Sequence, residues 1–302
     1  MKKSKKIILY TLIVFVAFTI LFFVLLVNYS TSPIDKKNVN VRVNIPTGSS
    51  FLEVTEILDQ AGLVKSRILF YSLAIKKNAR RSIRAGEYEF NTSLTPAAMI
   101  DTLLLGEKKI YKILIPENLS LRELAERLDE FKLINKKDFF KLARDKAFLE
   151  SLNIKADSIE GYLFPVVYFF DRSMSTRQIM KIMVSQFWKK VTPEMIKRAG
   201  EIGFNINQFV TVASMIGKET NNDAKKPAIS AMFHDRLKKG MRLQSSPTAV
   251  YDLDNFDGKI LYSHLKRKSL YNTYVIKGLP PGPIANPGLT SLQAALYPVK
   301  VN

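Results

Sequence analysis

The chain has no cysteine, two histidines and a single tryptophan among its 302 residues. Without cysteine there is no disulfide and no thiol nucleophile, so the fold rests on packing alone. His234 and His264 lie far apart with no partner at ligand spacing. That argues against a catalytic zinc centre or a histidine-based nucleophilic triad, and no metal is expected. Acidic residues are also scarce: 27 Asp and Glu stand against 46 Lys and Arg, a net charge of +19. Such a surplus favours anionic partners, although a generally lysine-rich proteome would produce it too.

Hydrophobic residues make up 47% of the chain, and one stretch of them is not core. From Ile7 to Val27 the sequence is apolar apart from Thr11 and Thr19. At about 1.5 Å per residue this run crosses a hydrocarbon layer of about 30 Å. Lys2, Lys3, Lys5 and Lys6 precede it and no basic cluster directly follows. The positive-inside rule then places the amino terminus in the cytoplasm and the remainder outside. A cleaved signal peptide is the competing reading. The run exceeds the roughly 7–15 residues of a signal core, and Val27-Asn28-Tyr29-Ser30 offers no small-x-small cleavage site, which favours an uncleaved anchor. Setting the four amino-terminal lysines aside leaves about +15 outside. That charge directs attention to envelope polymers or lipid head groups, not to nucleic acid.

Residues 1–6 read as a cytoplasmic tail, 7–27 as a transmembrane helix and 28–39 as a polar linker carrying Pro33. A seventy-residue repeat follows without gaps. Arg42-Val43-Asn44-Ile45-Pro46 aligns with Lys112-Ile113-Leu114-Ile115-Pro116, and Ser50 and Glu53 align with Ser120 and Glu123. Each Ser-x-x-Glu pair is a capping box, so each copy predicts a strand followed by two helices. Leu58, Leu63, Val64 and Phe70 match Leu128, Leu133, Ile134 and Phe140. Chance likeness of two βαα modules is the alternative to duplication. Between the copies, Ala85 to Phe90 alternates as a strand does, and Thr95-Pro96 opens a helix ending near Gly106. Residues 40–107 therefore predict a βααβα unit, and 110–150 a second βαα unit. Further on, Thr192-Pro193, Asn205 or Asn207, and Pro227 open three helices. Met241 to Pro298 reads as Gly/Pro-rich loops, short strands and one late helix from Thr290.

Four segments carry candidate chemistry. On the helix through Glu219, Val212, Met215, Ile216 and Glu219 fall on one stripe. A carboxyl at the end of a buried stripe is desolvated and holds its proton, as general-acid cleavage of a glycosidic bond requires. The plainer reading is a helix-end glutamate in solvent before the Thr220-Asn221-Asn222-Asp223 turn. Glu160-Gly161-Tyr162-Leu163-Phe164-Pro165 sets a carboxylate beside aromatics that can stack on sugars, or else forms a core-edge turn. Met241 to Thr248 with Tyr251, and Tyr271-Asn272-Thr273-Tyr274 leading into Gly278-Leu279-Pro280-Pro281-Gly282-Pro283, present amide and phenol groups on proline-fixed loops. Such loops also serve purely structural ends.

Taken together, Ala213-Ser214-Met215-Ile216-Gly217-Lys218-Glu219-Thr220, Arg242-Leu243-Gln244, Pro247-Thr248, Tyr271-Asn272-Thr273-Tyr274, Gly278-Leu279-Pro280-Pro281-Gly282 and Asn286-Pro287-Gly288 resemble the MltG (YceG-like) endolytic murein transglycosylases. Order and spacing match over most of the chain. The resemblance implies an α+β fold with an amino-terminal transmembrane helix. A small LysM-like unit over 40–107 and a mixed catalytic region over 108–302 would follow. It implies Glu219 as the catalytic residue. Glu160, Tyr162, Gln244, Ser246, Asn272 and Tyr274 are then the candidates for binding substrate. No cofactor is implied. The substrate would be peptidoglycan glycan strands, cleaved at MurNAc–GlcNAc β-1,4 bonds to leave 1,6-anhydromuramyl ends. The location would be the bacterial cytoplasmic membrane, in the company of peptidoglycan synthases and divisome or elongasome proteins.

Some positions depart from the family pattern. The first family glutamate is Gly217, the aspartate before Pro-Thr is Ser246, and the one after Phe-Pro is Val166. An acidic position beyond the catalytic helix is Lys225, and an Asn before Arg-Leu is Asp235. The chain also ends at Asn302, before a further family strand, which would leave a sheet edge unpaired. These departures sustain a second reading, a catalytically impaired peptidoglycan-binding or scaffold protein of the cell-wall machinery. A basic membrane protein that binds anionic polymer alone leaves the ordered motifs unexplained.

Overall fold

A computed structural model describes residues 2–35, 37–79, 83–254 and 256–299. The chain divides into two units, one of residues 1–110 with 171–173, the other of 111–170 with 174–302.

The first unit starts with α1 (Lys2–Thr31), whose stretch Lys6–Thr31 is long and apolar enough to cross a membrane, with mean hydropathy 2.9. It continues through β1 (Asn40–Ile45), α2 (Phe51–Gln60), α3 (Arg67–Lys76), β2 (Gly86–Asn91) and α4 (Pro96–Leu105), the strand–helix–helix–strand–helix order expected. β1 and β2 pair antiparallel from Asn40↔Asn91 to Ile45↔Gly86. Their apolar positions Val43, Ile45, Tyr88 and Phe90 turn onto the buried faces of α2, α3 and α4. Ser50 caps α2 in a complete box with Glu53. Thr95 caps α4, Pro96 begins it, and Gly106 ends it at φ 70°, a left-handed geometry that costs glycine little.

The expected polar linker over 28–39 is not a separate stalk. α1 remains helical to Thr31, and Phe22, Leu26, Tyr29 and Ile34 pack into the unit's core. Asp35 N–H then donates to Thr92 O at 3.0 Å and Val39 N–H to Thr92 Oγ1 at 3.1 Å. Apolar side chains spaced through the segment outweigh its polar composition.

In the second unit, β3 (Tyr111–Leu114) is followed by α5 (Leu121–Glu130), α6 (Lys136–Leu142) and α7 (Lys146–Ser151), then β4 (Val167–Phe170). β3 and β4 pair antiparallel, as β1 and β2 do. The repeat is therefore structural. Ser120 and Glu123 form the second complete capping box, and Leu124, Leu128 and Leu133 are buried where Val54, Leu58 and Leu63 are. The likeness slips by one residue at its end: α3 is capped by Ser66 and α6 by Asn135, one position earlier in the repeat, so Phe139 is buried in the place of Phe70 and Phe140 is exposed.

After β4 come α8 (Thr176–Lys190), α9 (Pro193–Glu201), α10 (Ile206–Glu219) and α11 (Lys226–Lys238). The region from Met241 onward differs from expectation. Among the described residues it holds no strand, and it has a short 3-10 helix at Ser246–Ala249 and two α-helices, α12 (Tyr262–Lys266) and α13 (Leu289–Leu296). α13 begins behind Gly288, with Thr290 already inside it. α9, α11 and α13 surround α10, which explains why Phe209 through Gly217 are all buried.

Candidate functional site

α10 starts at an Asn205–Gln208 capping box and drives through the core of the second unit. Burial ends at Gly217: Lys218 is half-buried and Glu219, the last helical residue, is exposed. The expected desolvation of Glu219 by the fold is thus not met, because the apolar stripe stops one turn short of it. The helix end does not fray, however. Thr220 N–H donates to Ile216 O at 3.3 Å, and Ser245 Oγ–H donates to Glu219 Oε1 at 2.6 Å. Among the described residues no other side chain bonds the Glu219 carboxyl.

Ser245 is itself fully buried and fixed from several sides. Its N–H donates to Thr273 Oγ1 at 2.9 Å, and Thr248 Oγ1–H donates to its carbonyl at 2.6 Å. Thr248 has then used its one proton, so Thr273 Oγ1–H donates to Thr248 Oγ1 across 2.8 Å. Thr273 N–H donates to Thr248 Oγ1 at 3.1 Å and Gln244 N–H to Thr273 O at 3.1 Å. These hydroxyls join the 243–248 loop to the 271–274 loop and hold both against the end of α10. On the open side, Gln244 is exposed at φ 53°. Ser246 Oγ and Tyr274 OH, both half-buried, share a bond of 3.0 Å.

Three candidate binding residues, Glu160, Tyr162 and Asn272, lie instead inside the fold. Asn272, 0% exposed, spends its amide on the carbonyls of His264, Leu265 and Arg267 at the end of α12. Tyr162, buried against Phe187 and Trp188, donates its hydroxyl to Asn207 Oδ1 at 3.4 Å. Glu160, 1% exposed, accepts from Leu121 N–H at 2.9 Å, Tyr251 OH at 2.8 Å and Asn286 Nδ2 at 3.2 Å. A side chain without surface cannot touch a polymer lying on the surface.

Glu160 nevertheless organises the ground beneath the site. Leu121 is the first residue of α5, so the carboxyl sits at a helix start, where negative charge is favoured. Asn286 completes the knot: its Oδ1 accepts Gly161 and Leu163 N–H, each at 3.0 Å, and its Nδ2 also donates to Leu119 O. Gly161 is required here, because at φ 88° a Cβ would lie 2.7 Å from Pro283 and Val210. Burial pushes the Glu160 carboxyl up to about 7, against the lowering pull of the Leu121 and Tyr251 hydrogen bonds and of Lys218. Tyr251 is raised as well, by burial and by the neighbouring Glu160.

Two departures from the family pattern find a physical account. A Cβ on Gly217 would stand 1.9 Å from Asn118 Oδ1, so Asn118 fills the space a larger residue would need. Asn118 holds that place at φ 65°, its N–H tied to Asn286 O at 2.9 Å. Ser246 engages Tyr274 in place of a carboxylate. Beside the site, Lys218 Nζ pairs with Glu123 at 3.0 Å. The buried Lys226 ammonium meets Asp223 and Thr290 at 2.7 Å and Glu117 at 3.4 Å.

Ser245, Thr248, Thr273 and Asn286 escaped selection from the sequence, although each lies in a motif quoted there. For Ser245 and Thr248 the signal is the clustering of small hydroxyls around Pro247. Which of two adjacent serines faces inward depends on loop geometry and has no one-dimensional signature.

Comparison with known proteins supplies the rest. The YceG-like family model matches residues 43–302. An endolytic murein transglycosylase of Bacillus subtilis is 32% identical over 89% of this chain and 79% of its own length. One of Streptococcus pneumoniae serotype 2 is 27% identical over 90% of this chain, which spans 55% of that longer protein. A crystal structure of a YceG-like protein from Listeria monocytogenes covers 87% of this chain and 91% of its own, at 30% identity and TM-score 0.59. With a family match over most of its length, this chain belongs to the YceG-like family.

Proposed function

We propose that the chain is an endolytic murein transglycosylase, cleaving MurNAc–GlcNAc β-1,4 bonds within peptidoglycan strands with Glu219 as its acid and base. The observation that carries this reading is the placement of Glu219. Glu219 is exposed at the end of α10, where a strand can lie, with one carboxyl oxygen held by Ser245. The names of the Bacillus and Streptococcus relatives support it. Glu219 protonates the bridging oxygen as the bond to the muramyl anomeric carbon breaks. The resulting carboxylate takes the proton of the muramyl 6-hydroxyl as that oxygen closes on the same carbon. One carboxyl serves both steps, no water is consumed and a 1,6-anhydro ring results. Since the fold leaves Glu219 open, the bound strand itself excludes water from it. Gln244, Ser246 and Tyr274 are the side chains placed to orient that strand.

α1 serves as a single-pass anchor in the cytoplasmic membrane with its lysine-rich end inside, and residues 40–107 act as a LysM-like module outside. The hydropathy of α1, the four lysines before it and the βααβα order support this part.

The test is digestion of purified glycan strands by the full chain and by Glu219→Gln, with products resolved by mass. Anhydromuramyl ends from the parent alone support the enzyme. Binding without products from either protein would favour a scaffold.

A further inference from the structure

We infer that the first unit is docked on the head-group layer of the membrane that α1 crosses, with the carboxy-terminal end of α3 set into that layer. The inference rests on α1 being a membrane span. Its support is the depth at which α3 meets α1. Lys65 Nζ, just before α3, donates to Pro33 O at 3.2 Å, beyond the end of α1. At the other end of α3, Lys76 Nζ lies 5.5 Å from the centre of the Phe23 ring. α3 therefore runs down alongside α1 from Pro33 to Phe23. Phe23 is four residues inside the apolar run that closes at Val27, a depth of about 6 Å.

The bilayer cannot avoid this overlap by sitting lower on α1. Ile7 to Leu21 alone would measure about 22 Å, well short of a hydrocarbon layer of about 30 Å. The span needs Phe22 to Val27, and those residues are where the folded unit begins. There, Leu26 is 5% exposed because the unit covers it, while Val24 and Leu25 on the other faces are about half exposed and open to lipid.

The end of α3 has the chemistry of such a place. Ile75 is 44% exposed and adjoins Lys76, an apolar side chain beside a cation whose ammonium lies over an aromatic ring. The sequence from Lys76 to Arg84 holds five basic residues and no acidic one. Lys77 is occupied by Asp101 at 2.6 Å, and Lys76 is a cation presented at the depth of Phe23. Anionic phospholipid head groups are the matching partner.

The absence of cysteine makes the test direct. Val16→Cys, Ile75→Cys and Glu56→Cys are each labelled with a fluorophore in the full chain. The proteins are reconstituted in phosphatidylcholine vesicles containing one-quarter phosphatidylglycerol, and quenching by nitroxide-bearing lipid is measured. Glu56 is exposed and pairs with Arg67 at the far end of α3. The expected result is quenching at Val16→Cys and Ile75→Cys at least about threefold above Glu56→Cys. Lys76→Glu in the Ile75→Cys protein, or omission of phosphatidylglycerol, lowers quenching at position 75 by about twofold and leaves position 16 unchanged. Quenching at 16 with position 75 no different from 56 overturns the docking and leaves the anchor standing. No quenching at 16 overturns the anchor itself, and the docking with it. Quenching at 75 that ignores both Lys76 and lipid charge overturns the anionic head group as the partner.

Discussion

Ser245 Oγ lies 2.6 Å from Glu219 Oε1 while its own backbone is held by Thr248 and Thr273. Replacing Ser245 with alanine leaves that scaffold intact and releases one rotational restraint on the carboxyl. The expected effect is a fall in kcat of about 10- to 100-fold with KM little changed, read from initial rates on soluble glycan strands. A change confined to KM would mean that Ser245 holds substrate and not the carboxyl. Glu160 calls for a different measurement. Its folded value of about 7 exceeds the ordinary carboxylate value of 4.5, so between those limits the folded state binds more protons than the unfolded one. Its contribution to stability is therefore full below about pH 4.5 and is lost as pH rises toward 7, by roughly 3 kcal/mol. Trp188, the single tryptophan, packs on Tyr162 within the same unit and reports its unfolding. Urea midpoints followed by Trp188 should decline from pH 5 to pH 8 in the parent and decline distinctly less in Glu160→Gln. Equal slopes would show that Glu160 does not titrate in this range.

Elements show which parts of the fold can be read in one dimension. Both capping boxes, the Thr95-Pro96 helix start with its Gly106 stop, and the Asn205 start of α10 are local patterns, and the structure contains each of them. The seventy-residue repeat is legible because matched burial demands matched spacing of apolar residues. What eludes such reading is where an element meets its neighbours. The stripe Val212, Met215, Ile216 continues to Glu219 by helical arithmetic, yet the core ends at Gly217. Glu160 looks like a surface carboxylate beside aromatics until Leu121, Tyr251 and Asn286 converge on it from three distant stretches. α1 is the sharpest case, because one run apolar enough to cross a membrane also supplies side chains to a protein core. Leu26 belongs to the first unit's core whereas its neighbour Leu25 is 48% exposed. Leu26→Ala should destabilise that unit by about 2–5 kcal/mol and Leu25→Ala by less than about 1 kcal/mol, measured by thermal unfolding in detergent. Equal effects would place both side chains in lipid.

At the scale of the whole molecule, two units with separate cores share one motif, a two-stranded antiparallel sheet whose first strand leads into a capped helix. The first unit carries the apolar helix and the second carries the catalytic candidate, so attachment and chemistry are assigned to different parts of one chain. The proposed chemistry asks a single carboxyl, that of Glu219, to work twice with no water molecule consumed. That is most directly measured by digesting glycan strands with the full chain in water enriched in oxygen-18 and weighing the new muramyl ends. The account predicts 1,6-anhydro ends that carry no heavy oxygen, while reducing ends bearing oxygen-18 would contradict it.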